Sequence, residues 1–197
     1  MTKKEWVSYI RNHLRRVDET SNYHKVVVEK TIDTIHSQMF SQEYMRNKSG
    51  MWKYLKEYSI TASSSPSNTA IPIPQIPIAL PRVNGGVFRV DLTVGSSDFL
   101  CELTPMDMFR RFIDATYDTL GIQGKYHVAY HDNNLYFPIG ISSQNTVTYT
   151  ILPKFSTLSD SDEVLLPVGA EEVMADRVLD TMRLIPPTDL LNNNANG

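Results

Sequence analysis

The chain has 197 residues, of which 41% are hydrophobic and 21% charged, and its formal net charge is -3. This composition is typical of a globular domain that buries its own core, and no acidic or basic excess points to a partner. Cys101 is the single cysteine, which excludes an internal disulfide framework, and no apolar run approaches the ~20 residues of a membrane span. Because the sequence begins without the apolar segment of a signal peptide, we expect the chain to stay in a cytoplasm during assembly.

The first predicted helix covers residues 2–17. Thr2 and Glu5 have the spacing of a capping box. An apolar stripe at helical spacing is formed by Trp6, Ile10, Leu14 and Val17. On a different face of the same helix lie Lys4, Arg11 and Arg15. Through residue 16 the five basic side chains, opposed only by Glu5, give this end a charge of +4. The basic face is either simply solvated or turned toward acidic protein or nucleic acid.

A second helix is predicted over residues 23–40, where the periodic apolar positions are Val28, Ile32, Ile35 and Met39. The short connection at residues 18–22 indicates an antiparallel helical hairpin. Residues 42–58 predict a weaker third helical piece, which carries several aromatic residues. Such an aromatic cluster is more often core than a ligand cage.

The composition changes at residues 61–81, where five of the 11 prolines fall within sixteen residues. Proline removes an amide donor and keeps its neighbour extended, so this segment is predicted to be a polyproline-like arm. Its aliphatic residues are Ile71, Ile73, Ile76, Ile78 and Leu80. They indicate either a strap across the protein's own sheet or an arm on a neighbouring subunit. We expect the second, with these five residues binding a partner.

The predicted sheet begins at residues 87–94, where Phe88, Val90, Leu92 and Val94 alternate with polar residues. Residues 99–103 predict a further strand, and Thr104-Pro105 a strong helix start. Residues 124–152 contain three runs rich in Tyr, Val, Ile and Thr, which are typical of an antiparallel meander. An acidic loop follows at 159–163, and a closing helix is predicted at 170–184.

The predicted fold class is therefore α+β, with an N-terminal helical hairpin or bundle, a small antiparallel sheet with a packed helix, an extended Pro-rich arm and a closing C-terminal helix. We expect a single domain over residues 1–197. Within it we place a helical region at 1–60, the arm at 61–82, the sheet region with one helix at 83–168, and the C-terminal helix and tail at 169–197.

Few residues in the sequence have the type and spacing that a catalytic or metal site requires. His127 and His131 lie in a predicted strand, where four residues span about 13 Å and cannot share one metal ion. Asp160 and Asp162 begin like a calcium loop, but the glycine and the later glutamate of that motif are missing. Cys101 is expected to be a buried strand residue. The sequence thus predicts no enzyme, no cofactor and no metal site.

A resemblance to a known family comes from about the last third of the chain. It rests on the strand Leu135-Tyr136-Phe137-Pro138, the acidic loop at 159–163, and a last helix followed by Pro186, Pro187, Asp189 and an Asn-rich end. With the order of helical half, sheet region and closing helix, these features resemble the head-tail connector, or ring, proteins of tailed bacteriophages, such as those of crAss-like phages.

The resemblance implies a non-enzymatic structural subunit of a virion. By that similarity the chain forms a closed homo-oligomeric ring below the portal at the head-tail junction, extends the DNA channel and seats tail components. The implied partners are copies of itself, the portal, and other connector or tail proteins; any contact with channel DNA would be independent of sequence, and no membrane is involved. The alternatives are a scaffolding module of a cellular complex and a small phage-associated hydrolase.

The partner-binding residues predicted from the sequence fall in three groups. The first is the basic face of the N-terminal helix, and the second is the aliphatic set of the arm. The third is the tail, from which we select Leu190 and Leu191. Since residues 192–197 cannot build a core, we expect the tail to be ordered only in the assembly.

Overall fold

The structure is a computed structural model, and it describes residues 1–17, 23–61, 70–81, 83–109, 126–137 and 145–185. Its contacts divide the chain into two compact units, Met1–Tyr54 with Lys154–Gly197, and Leu55–Pro153. We call them the helical unit and the sheet unit and describe each by itself. The α+β fold class is confirmed. The single domain stays a prediction.

The helical unit contains three α-helices and two 3₁₀ helices in its described residues. The α-helices are α1 (Lys3–Val17), α2 (Lys25–Arg46) and α3 (Glu171–Arg183). The 3₁₀ helices are Lys48–Tyr54 and Phe155–Thr157. α2 packs against α1, α3 and both 3₁₀ helices, so it forms the centre of the unit.

The predicted apolar stripes form the core of this unit. Trp6, Ile10 and Leu14 of α1 are buried. The four predicted positions of α2 are buried too, and α3 adds Met174, Ala175, Val178, Leu179 and Met182. The predicted closing helix is thus confirmed, with bounds within one residue of those expected. The direction of α2 relative to α1 stays a prediction.

The third helical piece predicted over residues 42–58 is wrong in part. α2 continues to Arg46, the 3₁₀ helix follows, and Lys56–Thr61 is strand β1. Along this strand Tyr58 and Ile60 alternate with exposed residues, so burial at the end of the predicted helical piece follows the two-residue period of a strand. The expected helical region at 1–60 therefore ends too late.

The sheet unit holds two four-stranded sheets. The remaining strands are β2 (Ala70–Pro72), β3 (Val87–Val94), β4 (Ser97–Leu100), β5 (Glu102–Leu103), β6 (His127–His131), β7 (Asn134–Tyr136) and β8 (Thr146–Ile151). The strand order is β1-β8-β3-β4 in one sheet and β2-β7-β6-β5 in the other. Side chains from both sheets form one apolar cluster, including Val90, Val128 and Tyr149.

The predicted meander is wrong in its topology, although all three of its strands exist. β6 and β7 form a hairpin through Asp132 and Asn133, whose φ values of 46° and 60° suit a tight turn. β8 instead lies between β1 and β3 in the other sheet. The sheets are also not wholly antiparallel, because β5 pairs with β6 in parallel.

Two smaller strand predictions need correction. In β3 the register shifts between Val87 and Arg89, and Val87 is buried. The expected alternation holds at Val90 and Leu92, whereas Val94 is exposed. The strand expected at residues 99–103 is interrupted at Cys101, and its two parts belong to different sheets. The helix after Thr104-Pro105 is described through Phe109, whose amide donates to the Pro105 carbonyl. Its expected continuation lies outside the described residues.

The described part of the Pro-rich arm lies against its own unit. Ala70–Pro72 pairs with Asn134–Tyr136 as the edge strand β2, where a proline is tolerated because an edge strand leaves alternate amides unpaired. Farther along, the Ile78 amide donates to the Leu152 carbonyl. Four of the five aliphatic residues are at most 5% exposed, namely Ile71, Ile73, Ile78 and Leu80. The structure therefore corresponds to the internal strap, one of the two alternatives that the sequence left open.

Among the described helices, none combines the length and the apolar character that crossing a bilayer requires.

Candidate protein-binding surface

The start of α1 is fixed by side chains and by a distant loop. The Glu5 amide donates to the Thr2 hydroxyl at 3.3 Å, and the Thr2 amide donates to the Glu5 carboxylate at 2.7 Å, so the predicted capping box is confirmed. Hydrogen bonds to the Glu5 carboxylate, from the Thr2 backbone amide first and the Thr2 side chain second, lower the pKa of Glu5. Two further first-turn amides, those of Lys3 and Lys4, donate to the carbonyls of Asp162 and Asp160.

Lys3 does not belong to the exposed basic face, although the sequence counted it in the charge of this end. Its side chain is buried, and its Nζ donates to the carbonyls of Ser156 at 3.0 Å and Leu158 at 2.9 Å. The same ammonium lies 5.7 Å from the centre of the Phe155 ring. Lys3 thus ties α1 to the 3₁₀ helix that contains Phe155.

We call the three cations of the predicted basic face, Lys4, Arg11 and Arg15, the cationic stripe. Lys4 and Arg15 are exposed and Arg11 is half-buried, while the opposite face of α1 is in the core. No ion pair joins these three side chains to another described residue. The first turn of α1 is hydrogen-bonded to residues 160 and 162, and the stripe is a positive surface of about 16 Å from Lys4 to Arg15.

A negative surface of the helical unit begins beside the start of α1, where Thr2 pairs with Glu163. A groove of ≈ 560 Å³ is lined by Met1, residues 163–169, Glu171 and Glu172. Asp176 lies one turn beyond Glu172 on the exposed side of α3. We call Glu163, Glu171, Glu172 and Asp176 the acidic surface. Two apolar side chains lie beside it, with Val168 87% and Val173 45% exposed.

The position of Glu171 and Glu172 in the first turn of α3 has an ordinary structural explanation, because carboxylates stabilise a helix N-terminus. Asp176 lies outside that turn. Of the acidic side chains farther along α3, Asp180 pairs with Arg183 at 3.0 Å and is excluded from the surface. Glu171, Glu172 and Asp176 form no ion pair with another described residue.

The predicted cationic and aliphatic partner-binding residues belong to different units. The cationic stripe belongs to the helical unit, and the arm belongs to the sheet unit. Because Ile71, Ile73, Ile78 and Leu80 are buried within this chain, their expected contact with a partner is corrected: that apolar area is already removed from water. Ile76 is half-buried. Leu190 and Leu191 lie outside the described residues, as does the tail.

The acidic surface was not predicted from the sequence. A usable signal was present, since Glu172 and Asp176 are four residues apart on the side of the closing helix that lacks the apolar stripe. The contribution of Glu163 was not visible in the sequence, because it reaches the groove through the pairing of Thr2 with Glu163.

The buried titratable groups give no catalytic arrangement in the described part of the chain. Burial lowers the pKa of His36, whose Nε2 lies 3.0 Å from the Leu165 carbonyl oxygen. Burial raises the pKa of Cys101 to about 12, which disfavours the thiolate that a nucleophile would need. His127 and His131 both lie in β6, and the described residues contain no group of three or more side chains that could hold a metal ion.

No protein-family model matches the sequence, and no curated protein matches it significantly.

Proposed function

We propose that the chain is a structural subunit of a tailed-phage virion, forming a ring at the head-tail connector below the portal. The observation that carries the proposal is the cationic stripe: three cations on one helix have no ion-pair partner among the described residues, while the opposite face of that helix is buried. Such a surface is complementary to an acidic protein surface. The location in the connector is taken from the resemblance of the last third of the chain to connector proteins.

In a ring around translocating DNA, the wall of the channel is an unfavourable position for the cationic stripe. Cations lining the channel would hold the passing DNA, since each phosphate contact adds affinity through counterion release. We therefore place the stripe against protein and not on the channel wall. Burial raises the pKa of Cys101 to about 12, which argues against a thiolate nucleophile at this residue.

Immunogold labelling of purified virions with antibodies against the chain tests the proposal. The expected result is label at the head-tail junction, with the chain present in the particles by mass spectrometry. Its absence from virions, or label confined to another site, would overturn the proposal. Recovery in a cellular complex instead would support the scaffolding alternative.

A further inference from the structure

The cationic stripe and the acidic surface are opposite in charge and belong to the same unit, with Arg11 half-buried and Lys4 and Arg15 exposed. Arg11 and Arg15 are four residues apart, and so are Glu172 and Asp176. Each pair therefore spans about 6 Å along its own helix. This equal spacing allows two ion pairs to form together when the two helices lie side by side.

We infer that the cationic stripe of one copy binds the acidic surface of a second copy, an inference that rests on the proposed ring. With α1 of one copy parallel to α3 of the other, Arg11 and Arg15 meet Glu172 and Asp176. Lys4, roughly 10 Å before Arg11 along α1, then reaches the groove that Glu163 and Glu171 line.

The surroundings of the acidic surface fit a protein occupant better than a free cation. Val168 and Val173 are exposed beside the carboxylates, and the aliphatic stems of arginine and lysine can cover such apolar area while their charged ends pair. An apolar centre with charged residues around it is the usual anatomy of a protein interface.

The interface joins two different surfaces, so it is heterologous. Each copy presents one stripe and one acidic surface, and each can bind two neighbours. Heterologous contacts of this kind produce closed rings when the rotation between neighbours closes. The inference thus names the contact that would hold the proposed ring together.

Charge reversal tests the inference on the purified full chain. The variants are R11E/R15E, which inverts the stripe, and E172K/D176K, which inverts the acidic surface. Self-association is followed by sedimentation and native mass spectrometry at about 50 mM and 300 mM salt. Each variant should associate at least about tenfold more weakly than the unaltered chain at low salt, because two attractive pairs become repulsive. The difference should shrink at high salt.

An equimolar mixture of the two variants provides the decisive measurement. An inverted stripe fits an inverted acidic surface, and the two unaltered surfaces fit each other, so the mixture should regain the association that each variant alone has lost. The matched control is R16E, because Arg16 is exposed on α1 but about 100° away from Arg15 around the helix axis. Its association should be unchanged.

The milder variant E172Q/D176N removes the attraction without adding positive charge at the start of α3, and circular dichroism confirms that each variant is folded. A monomeric unaltered chain at all concentrations, or a mixture that stays dissociated, would overturn the inference. If R11E/R15E were the only variant to differ from the unaltered chain, and differed only in the amount of DNA that it retains, the stripe would bind nucleic acid instead. Virion labelling is independent of these results, so the proposed function can survive the failure of this contact.

Discussion

Replacing Lys3 by methionine should destabilise the helical unit by about 3 kcal/mol. Methionine keeps most of the length of the buried stem but removes the ammonium that donates to the Ser156 and Leu158 carbonyls. Bonds that involve a charged group contribute roughly 1.5–3 kcal/mol each, and a buried carbonyl left unpaired costs about 1–3 kcal/mol. The bond to Leu158 is buried, whereas the one to Ser156 is partly buried, so water can replace the latter more readily.

Urea unfolding followed by tryptophan fluorescence measures this effect, since both tryptophans, Trp6 and Trp52, belong to the helical unit. With a slope of about 2 kcal/mol per molar, the midpoint should fall by roughly 1.5 M. The matched control is K4M, because the neighbouring Lys4 side chain is exposed and should cost under about 0.5 kcal/mol. If K3M and K4M unfold at the same midpoint, the role assigned to the Lys3 ammonium is incorrect.

Three further changes can be checked with the same protein. Burial lowers the pKa of His36 in the folded state, so the contribution of His36 to the free energy of unfolding should be fully present above about pH 6.5. Below that pH the free energy of unfolding should fall by up to about 1.4 kcal/mol per pH unit, and this slope should disappear in H36Q. An equal slope in both proteins would exclude His36 as its source. G86A should lower the urea midpoint of the sheet unit far more than G95A. Both glycines have positive φ, but a Cβ at position 86 would collide with the Ile78 carbonyl oxygen, whereas position 95 is open. Similar losses in the two variants would refute this steric argument. Cys101, with its pKa of about 12, should react with a thiol reagent at pH 8 on the order of a thousandfold more slowly in the folded than in the urea-unfolded chain, and rapid native labelling would contradict the burial of the thiol.

Local signals in the sequence predicted local structure well. The capping box of Thr2 and Glu5 and the apolar stripes of α1 and α2 depend on neighbours a few residues away, and they are present in the described residues. Sheet membership was less predictable, because strand periodicity does not specify a partner. β8 follows the β6–β7 hairpin in sequence, yet it pairs with β1 and β3.

The candidate site likewise combines features that local sequence predicts with features that depend on distant residues. The position of the cationic stripe followed from helix geometry alone. The burial of Lys3 did not, because the carbonyls that receive its ammonium are 153 and 155 residues away in sequence. The arm was undecidable from its own composition, since a strap and a partner-binding arm need the same aliphatic residues. Its pairing with β7 distinguishes the two in the structure.

The helical unit is made of two pieces of chain, and the sheet unit is the segment between them. During synthesis α1 emerges early, but the carbonyls of Ser156 and Leu158 follow only after about 150 more residues, which takes roughly 8 to 30 s at ordinary translation rates. Until then the apolar face of α1, including Trp6 and Ile10, lacks α3 as a packing partner. The sheet unit, complete by Pro153, is available to fold first. A nascent chain therefore carries an α1 whose apolar face α2 can cover only in part until α3 is made, and chaperones have their longest opportunity to bind the uncovered surface at that stage.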